Sequence, residues 1–178
     1  IVSGFSSTTR VHLFDIDSDG DGVTDALDAF PSDASETSDT DGDGVGDNTD
    51  EFPNSVNESV DSDGDGVGDN ADMFPSNSDQ TIDSDGDGYG DNSDGIDGDA
   101  YPLDASQWSD TDRDGYGDNP AGTTPDGCPN VNGFSTEDRY GCPDSDLDGF
   151  SDPDENWTSV QGADALPTDG TQWVDGDG

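Results

Sequence analysis

Aspartate at alternate residues, interleaved with glycine, rules out ordinary helix and ordinary core-forming strand over most of this chain. The string DxDGDGxGDNxD stands at residues 39–50 (DTDGDGVGDNTD), 61–72 (DSDGDGVGDNAD) and 83–94 (DSDGDGYGDNSD), and variants open at Asp17, Asp110 and Asp144. Glycine at every second or third place disfavours helix, and proline ends whatever starts. The spacing therefore predicts turns, with at most a short bridge at loop positions seven and eight.

The string repeats with a period. Asp17, Asp39, Asp61 and Asp83 each open a unit 22 residues after the last, and later units open at Asp110, Asp144 and, truncated, at Asp175. A fixed period of this size marks a stacked array. Each unit has a second half that begins on aromatic-Pro: Phe30-Pro31, Phe52-Pro53, Phe74-Pro75 and Tyr101-Pro102. Five residues past the proline stands Glu36, Glu58, Gln80 or Gln107, and the next loop opens three residues later. Leu166-Pro167, Gln172 and Asp175 keep the same phase. Insertions thus fall between loop and tail, while the spacing from tail to next loop is preserved. That predicts units joined in a fixed orientation through the tail. Residues 17–178 are read as the array and 1–16 as an N-terminal segment, with a strand over 8–16 (TTRVHLFDI).

Composition alone argues for disorder: 25% apolar residues, 46 acidic against three basic, and a formal charge of −43. Ordinary globular domains carry roughly 45–50% apolar residues. The placement of the acids argues otherwise, as does their identity, 41 Asp and five Glu. A solvated acidic tail or a salt-adapted surface has no need for Asp over Glu at fixed spacing. A tight loop around a cation does, because the short side chain suits turns and crowds carboxylates about one point. The field excludes nucleic acid as a direct partner. No window approaches the ~18 apolar residues of a membrane span. The first residues lack a signal peptide's basic start and apolar run. The final WVDGDG reads as the opening of a further loop, so the chain is expected to be a segment of something longer.

Counted from the first Asp, the first four loops have Asp at positions 1, 3, 5, 9 and 12 and Gly at 6. A twelve-residue EF-hand loop uses these positions, with a backbone carbonyl from position 7. Ca²⁺ takes six to eight oxygens at about 2.3–2.6 Å, which this spacing can supply, whereas Mg²⁺ demands a smaller octahedral site and keeps its waters. No His or Cys pair favours zinc or copper. The candidate ligands of the complete loops are Asp17, Asp19, Asp21, Val23, Asp25 and Asp28; Asp39, Asp41, Asp43, Val45, Asp47 and Asp50; Asp61, Asp63, Asp65, Val67, Asp69 and Asp72; and Asp83, Asp85, Asp87, Tyr89, Asp91 and Asp94. Loop five offers Asp110, Asp112, Asp114, Tyr116 and Asp118 but has Ala121 at position 12, where Asp126 can substitute if the insertion folds back. Loop six offers Asp144, Asp146, Asp148, Phe150, Asp152 and Glu155. At least one Ca²⁺ per complete loop is expected. The fold class that follows is an irregular, metal-stabilised repeat array, folding as the ion binds. The apolar residue at position 7 is expected to pack on the aromatic-Pro of the tail. Prolines soon after position 12, and the absence of a 3.6-residue apolar period, exclude a helix-flanked EF-hand. The nonapeptide of a calcium β-roll is also absent.

The stretch 61–87, DSDGDGVGDNADMFPSNSDQTIDSDGD, resembles the thrombospondin type-three repeat, and the likeness in loop, proline, Gln/Glu and re-entry runs over about residues 15–178. The resemblance implies units wrapped around a string of Ca²⁺ ions with little regular secondary structure, often about two ions per unit. The family's Cys before Pro is here Phe30, Phe52, Phe74 or Tyr101, and its Cys at position 11 is Leu27, Thr49, Ala71 or Ser93. The resemblance therefore implies that aromatic packing replaces inter-repeat disulfides. Asn57 and Asp79, four past the proline, match a candidate second-ion ligand of the family, while Ser35 and Ser106 do not.

The only cysteines, Cys128 and Cys142, frame GCPNVNGFSTEDRYGC. A disulfide closing that loop adds about 3 kcal/mol by loop entropy and implies an oxidising compartment. Asn57-Glu58-Ser59 and Asn156-Trp157-Thr158 are glycosylation sequons. Trp108, Trp157 and Trp173 are expected to pack on neighbouring turns rather than on sugars. His12 has no partner in sequence that would make a catalytic pair, and no enzyme activity is expected. The reading that follows is an extracellular or cell-surface calcium-binding array, a rigidified spacer, stalk or fibre-forming segment. It can associate with itself or with surface proteins and glycans. A calcium-dependent adhesin whose insertions at 95–100 and 119–143 contact a partner is the alternative, as is a linker on a secreted hydrolase.

Overall fold

The computed structural model describes residues 16–176. The strand expected over 8–16 lies outside these residues apart from Ile16, as does His12. Among the described residues there is no helix and no extended strand. Regular pairing is confined to two parallel bridges, Gly90 with Gly98 and Gly117 with Pro125. The chain is an irregular repeat array, as its glycine and proline spacing predicts. Two compact units divide it, Ile1–Pro75 with loops one to three and Ser76–Gly178 with loops four to six.

Each loop is tied by the same few bonds. The N–H of position 9 donates to the carbonyl just before the loop: Asp47 to Ser38 (2.9 Å), Asp69 to Val60 (2.9 Å), Asp118 to Ser109 (2.9 Å) and Asp152 to Pro143 (2.7 Å). The first carboxylate binds two N–H groups inside the turn, as when Gly42 donates to Asp39 Oδ1 and Gly44 to Asp39 Oδ2. Such a turn needs left-handed backbone at positions 4 and 6. Gly42 and Gly44 supply it at φ 83° and 96° with open space around both, so conformation and not crowding selects glycine. In loops five and six the fourth position is Arg113 and Leu147, each held at φ 63°.

The tail is a pair of consecutive turns. In the first unit Asp33 N–H donates to the Phe30 carbonyl and Glu36 N–H to the Asp33 carbonyl, both 2.9 Å. In the second, Asp104 and Gln107 repeat the pattern on Tyr101 and Asp104 at 2.8 Å. Its Glu or Gln then enters the following loop. Asn48 N–H donates to Glu36 (3.0 Å), Asn70 to Glu58 (3.1 Å), Asn92 to Gln80 (2.9 Å) and Asn119 to Gln107 (2.9 Å). The same asparagine reaches back with its side chain to the carbonyl one residue before that Glu or Gln, at Ser35, Asn57, Asp79 or Ser106. This clasp is the fixed junction that the preserved tail-to-loop spacing predicts.

The interior is polar. Among described residues the buried hydrophobics are Cys142 and Ala163, and the largest fully buried side chains include Gln80, Gln107, Asp99 and Asp164. Apolar packing is carried instead by stacked rings at position 7: Tyr89 on Trp108 (centroids 5.4 Å apart), Tyr116 on Tyr140 (5.5 Å) and Phe150 on Trp173 (4.9 Å). These partners are not the aromatic-Pro expected from the tail. Trp108 and Trp173 instead follow Gln107 and Gln172, and their carbonyls accept from the N–H of Ala100 and Ala165. In these two units the residue after the glutamine, not the aromatic before the proline, is brought back over position 7. Trp157 lies under Arg139, 5.6 Å from its guanidinium.

Candidate metal centres

Within each loop the carboxylates divide into two kinds. Those at position 9 brace the loop. Asp47 accepts from both the N–H and the hydroxyl of Thr40 at 2.7 Å, and Asp25, Asp69, Asp91, Asp118 and Asp152 are held likewise by Ser18, Ser62, Ser84, Thr111 and Ser145. Although burial opposes it, the Thr111 hydroxyl and amide hold Asp118 below the usual carboxylate range.

Those at positions 3 and 5 are half committed. Asp19, Asp41 and Asp85 each offer Oδ1 to the N–H of position 5, and Asp21, Asp43, Asp65, Asp87 and Asp148 offer Oδ1 to the N–H of position 7. Their second oxygens turn inward. Oδ2 of Asp19, Asp21, Asp41, Asp65, Asp85, Asp87 and Asp148 is buried without a hydrogen-bond partner, and so are both carboxylate oxygens of Asp112 and Asp146. Burial, with neighbouring carboxylates adding to it, pushes Asp19, Asp85 and Asp112 above the ordinary range. Buried, unpaired carboxylate oxygens are costly unless a cation meets them. Triads that bring one oxygen from each member within 4.8 Å of the others include Asp17/Asp19/Asp21, Asp39/Asp41/Asp43, Asp61/Asp63/Asp65, Asp83/Asp85/Asp87 and Asp110/Asp112/Asp114. Each can hold a metal ion. Loop six places Asp144, Asp146 and Asp148 at the same sequence positions, with Asp144 binding the N–H of Leu147 and Gly149. The position 7 residues, Val23, Val45, Val67, Tyr89, Tyr116 and Phe150, follow directly on these turns and are half-buried.

The closing carboxylate obeys a different count from the one expected. In the first three loops it is Asp28, Asp50 and Asp72, each buried, each accepting the N–H of the aromatic two residues on. In loop four Asp94 is exposed, and Asp99 makes this bond, to Tyr101 N–H at 2.6 Å. Asp99 N–H donates to Gly90, as Asp50 N–H does to Gly46. In loop five Asp126 takes the place, receiving Cys128 N–H at 2.6 Å, so the insertion does fold back. In loop six it is Asp164, receiving Leu166 N–H at 2.7 Å, while Glu155 is exposed. Oδ2 of Asp99, Asp126 and Asp164 is buried with no partner. Burial raises all three, Asp126 to about 6, and the carboxylates of their own loops raise them further: Asp87 and Asp85 for Asp99, Asp114 and Asp112 for Asp126, Asp148 and Asp146 for Asp164. Each therefore converges on its loop's triad. Insertions separate loop from tail, and the closing Asp belongs to the tail. The signal that finds it is Asp three residues before proline, constant from Asp28-Pro31 to Asp164-Pro167.

Counter-charge is nearly absent. The one ion pair among described residues is Arg139 with Asp154, 2.8 Å apart and outside the triads. The disulfide Cys128–Cys142 is formed. No helix among the described residues is long and apolar enough to cross a membrane. No family model matches the chain, and no curated protein matches it.

Proposed function

We propose that the chain is a calcium-stabilised structural array of an extracellular or cell-surface protein, a spacer or stalk whose stiffness depends on bound ions. One observation carries this reading: loop after loop turns buried, unpaired carboxylate oxygens toward one point, with no ion pair among the described residues to meet them. Oxygen-only donors favour a hard cation. A ring of short carboxylates on a flexible turn suits the larger, less exacting Ca²⁺ over Mg²⁺. A buried interior of Asp, Gln and Ser cannot offset chain entropy by apolar burial, so the ion is the natural source of folding energy. The disulfide accords with an oxidising compartment. Affinities in the extracellular range of about 10⁻⁴–10⁻³ M are expected.

The test is a calcium titration of the whole chain followed by small-angle scattering and protease sensitivity, reversed by chelator. Compaction and protection with Ca²⁺, and little with equal Mg²⁺, are expected. Dimensions and cleavage indifferent to Ca²⁺ sink the reading.

A further inference from the structure

The disulfide loop bonds loop five at its carboxylates, whereas its bonds to loop six go to the Gly149 carbonyl and to Ser151. Cys128 N–H donates to the closing carboxylate at Asp126 Oδ1, 2.6 Å. From inside the disulfide loop, Gly133 N–H donates to Asp114 Oδ2 (3.2 Å) and Asn132 Nδ2 to the Asp112 carbonyl (3.4 Å). At its far end Gly141 presses on the same pair: a Cβ there would meet Asp114 Oδ2 and Asp126 Oδ1 at 2.6 Å each. Phe134 and Ser135 N–H both donate to the Cys142 carbonyl at 3.1 Å, which ties the segment to the second sulfur. Asp21, Asp65, Asp87 and Asp148, the counterparts of Asp114, keep Oδ2 unpartnered. Two of loop five's carboxylates are thus aimed by N–H groups that the disulfide holds in place.

We propose that the Cys128–Cys142 disulfide and the cation site of loop five are one coupled device: opening the disulfide weakens the cation, and the bound cation protects the disulfide by the same factor. The proposal rests on the calcium reading above. Its physical basis is linkage. Reduction frees the 128–142 segment, whose ordering then has to be supplied at the moment the ion binds.

The sulfurs differ in access. Cys142 is fully buried, whereas Cys128 is half-buried and lines a cavity of 310 Å³ with Val131, Arg139, Pro143, Pro153 and Asp154. Arg139 donates from Nη2 to Cys128 Sγ at 3.1 Å. A small dithiol entering there attacks Cys128 Sγ with one thiolate. The disulfide breaks, and Cys142 sulfur leaves with the electron pair and takes a proton. The reagent's second thiolate then attacks the reagent sulfur of the mixed disulfide and closes a cyclic disulfide. Cys128 is released as a thiolate beside the Arg139 guanidinium. The dithiol is oxidised by two electrons and the protein disulfide reduced by two.

The experiment is a dithiothreitol redox series on the full chain, with alkylation of free thiols as readout, in chelator and in saturating CaCl₂. Calcium should raise the reduced-to-oxidised ratio needed for half-reduction roughly 5–150-fold, the usual range of coupling between sites. Calorimetry should show one ion bound more weakly by that factor in the Cys128→Ser/Cys142→Ser double variant. Asp126→Asn, with its disulfide intact, should lose the calcium effect on reduction while the other loops still bind. Equal half-reduction ratios with and without calcium overturn the coupling alone, as does protection that survives Asp126→Asn. A chain that binds no calcium in either form overturns the calcium reading, and the coupling with it.

Discussion

Gln80 fills the space that a side chain on Gly90 would need: a Cβ there would lie 2.1 Å from Gln80 Oε1. Gly46, Gly68 and Gly117 stand in the same relation to Glu36, Glu58 and Gln107. Gly90→Ala should therefore open the clasp between tail and loop and destabilise the second unit by about 1–3 kcal/mol, the usual cost of overpacking. Gly86→Ala, in open space at φ 83°, carries only a backbone penalty of about 1 kcal/mol. Calcium-dependent unfolding by denaturant separates the two. In a Gln80→Ala background the Gly90→Ala cost should shrink, because the obstructing atoms are gone. Additive losses contradict the clasp.

Asp99→Asn and Asp94→Asn should part company, although only the second sits at the twelfth position of loop four. Asp99 is 1% exposed with an unpaired inward oxygen, and Asp94 is exposed. Replacing Asp99 should weaken one ion at least tenfold in a calcium isotherm, and replacing Asp94 should leave the isotherm within twofold of the parent. The pair Asp164→Asn and Glu155→Gln should repeat the contrast in loop six.

That contrast lies at the edge of what local sequence encodes. The loop itself was legible, because Asp and Gly alternate only where a turn must aim carboxylates inward. The junction was legible as a constant spacing, but not the clasp that makes it. Gly46 and Asn48 meet Glu36, a partner ten or more residues away. Counting twelve along the loop points to Asp94 and Glu155, where Asp99 and Asp164 close the loops, while Asp126 is reached because loop five has no acid at that position. In physical terms the closing residue is the first of the tail, fixed by the N–H before proline. The ring partners at position 7 were missed because stacking depends on how the tail turns back, which no local spacing encodes.

Glu36→Gln should stabilise the first unit. Glu36 is 3% exposed and its Oε1 has no partner. In the matching place Gln80 Nε2 donates to the Asn92 carbonyl at 2.7 Å and the Ile96 carbonyl at 3.2 Å. An amide at 36 keeps the bond from Asn48 N–H, removes a buried negative charge and brings a donor to the Asn48 carbonyl. A gain of about 1 kcal/mol is expected in thermal unfolding at low calcium. A lower midpoint together with the loss of an ion from the isotherm would show instead that Glu36 is itself a ligand.

Loop five should release its ion first as the pH falls. In the metal-free chain burial, reinforced by Asp114 and Asp112, raises Asp126 to about 6. A raised carboxylate favours the proton. Its contribution to the metal-free fold is full below the ordinary carboxylate range and is lost as pH rises through about 6. A divalent ion needs the carboxylate ionised, so below about pH 6 it has to displace that proton, and its affinity should drop by up to tenfold per pH unit. Isotherms at pH 7.5, 6.0 and 5.0 should show one ion lost ahead of the rest, with proton release near pH 6 measured in buffers of different ionisation enthalpy. Asp126→Asn should remove both the released proton and the pH-sensitive ion. A released proton that persists in that variant assigns the titration elsewhere.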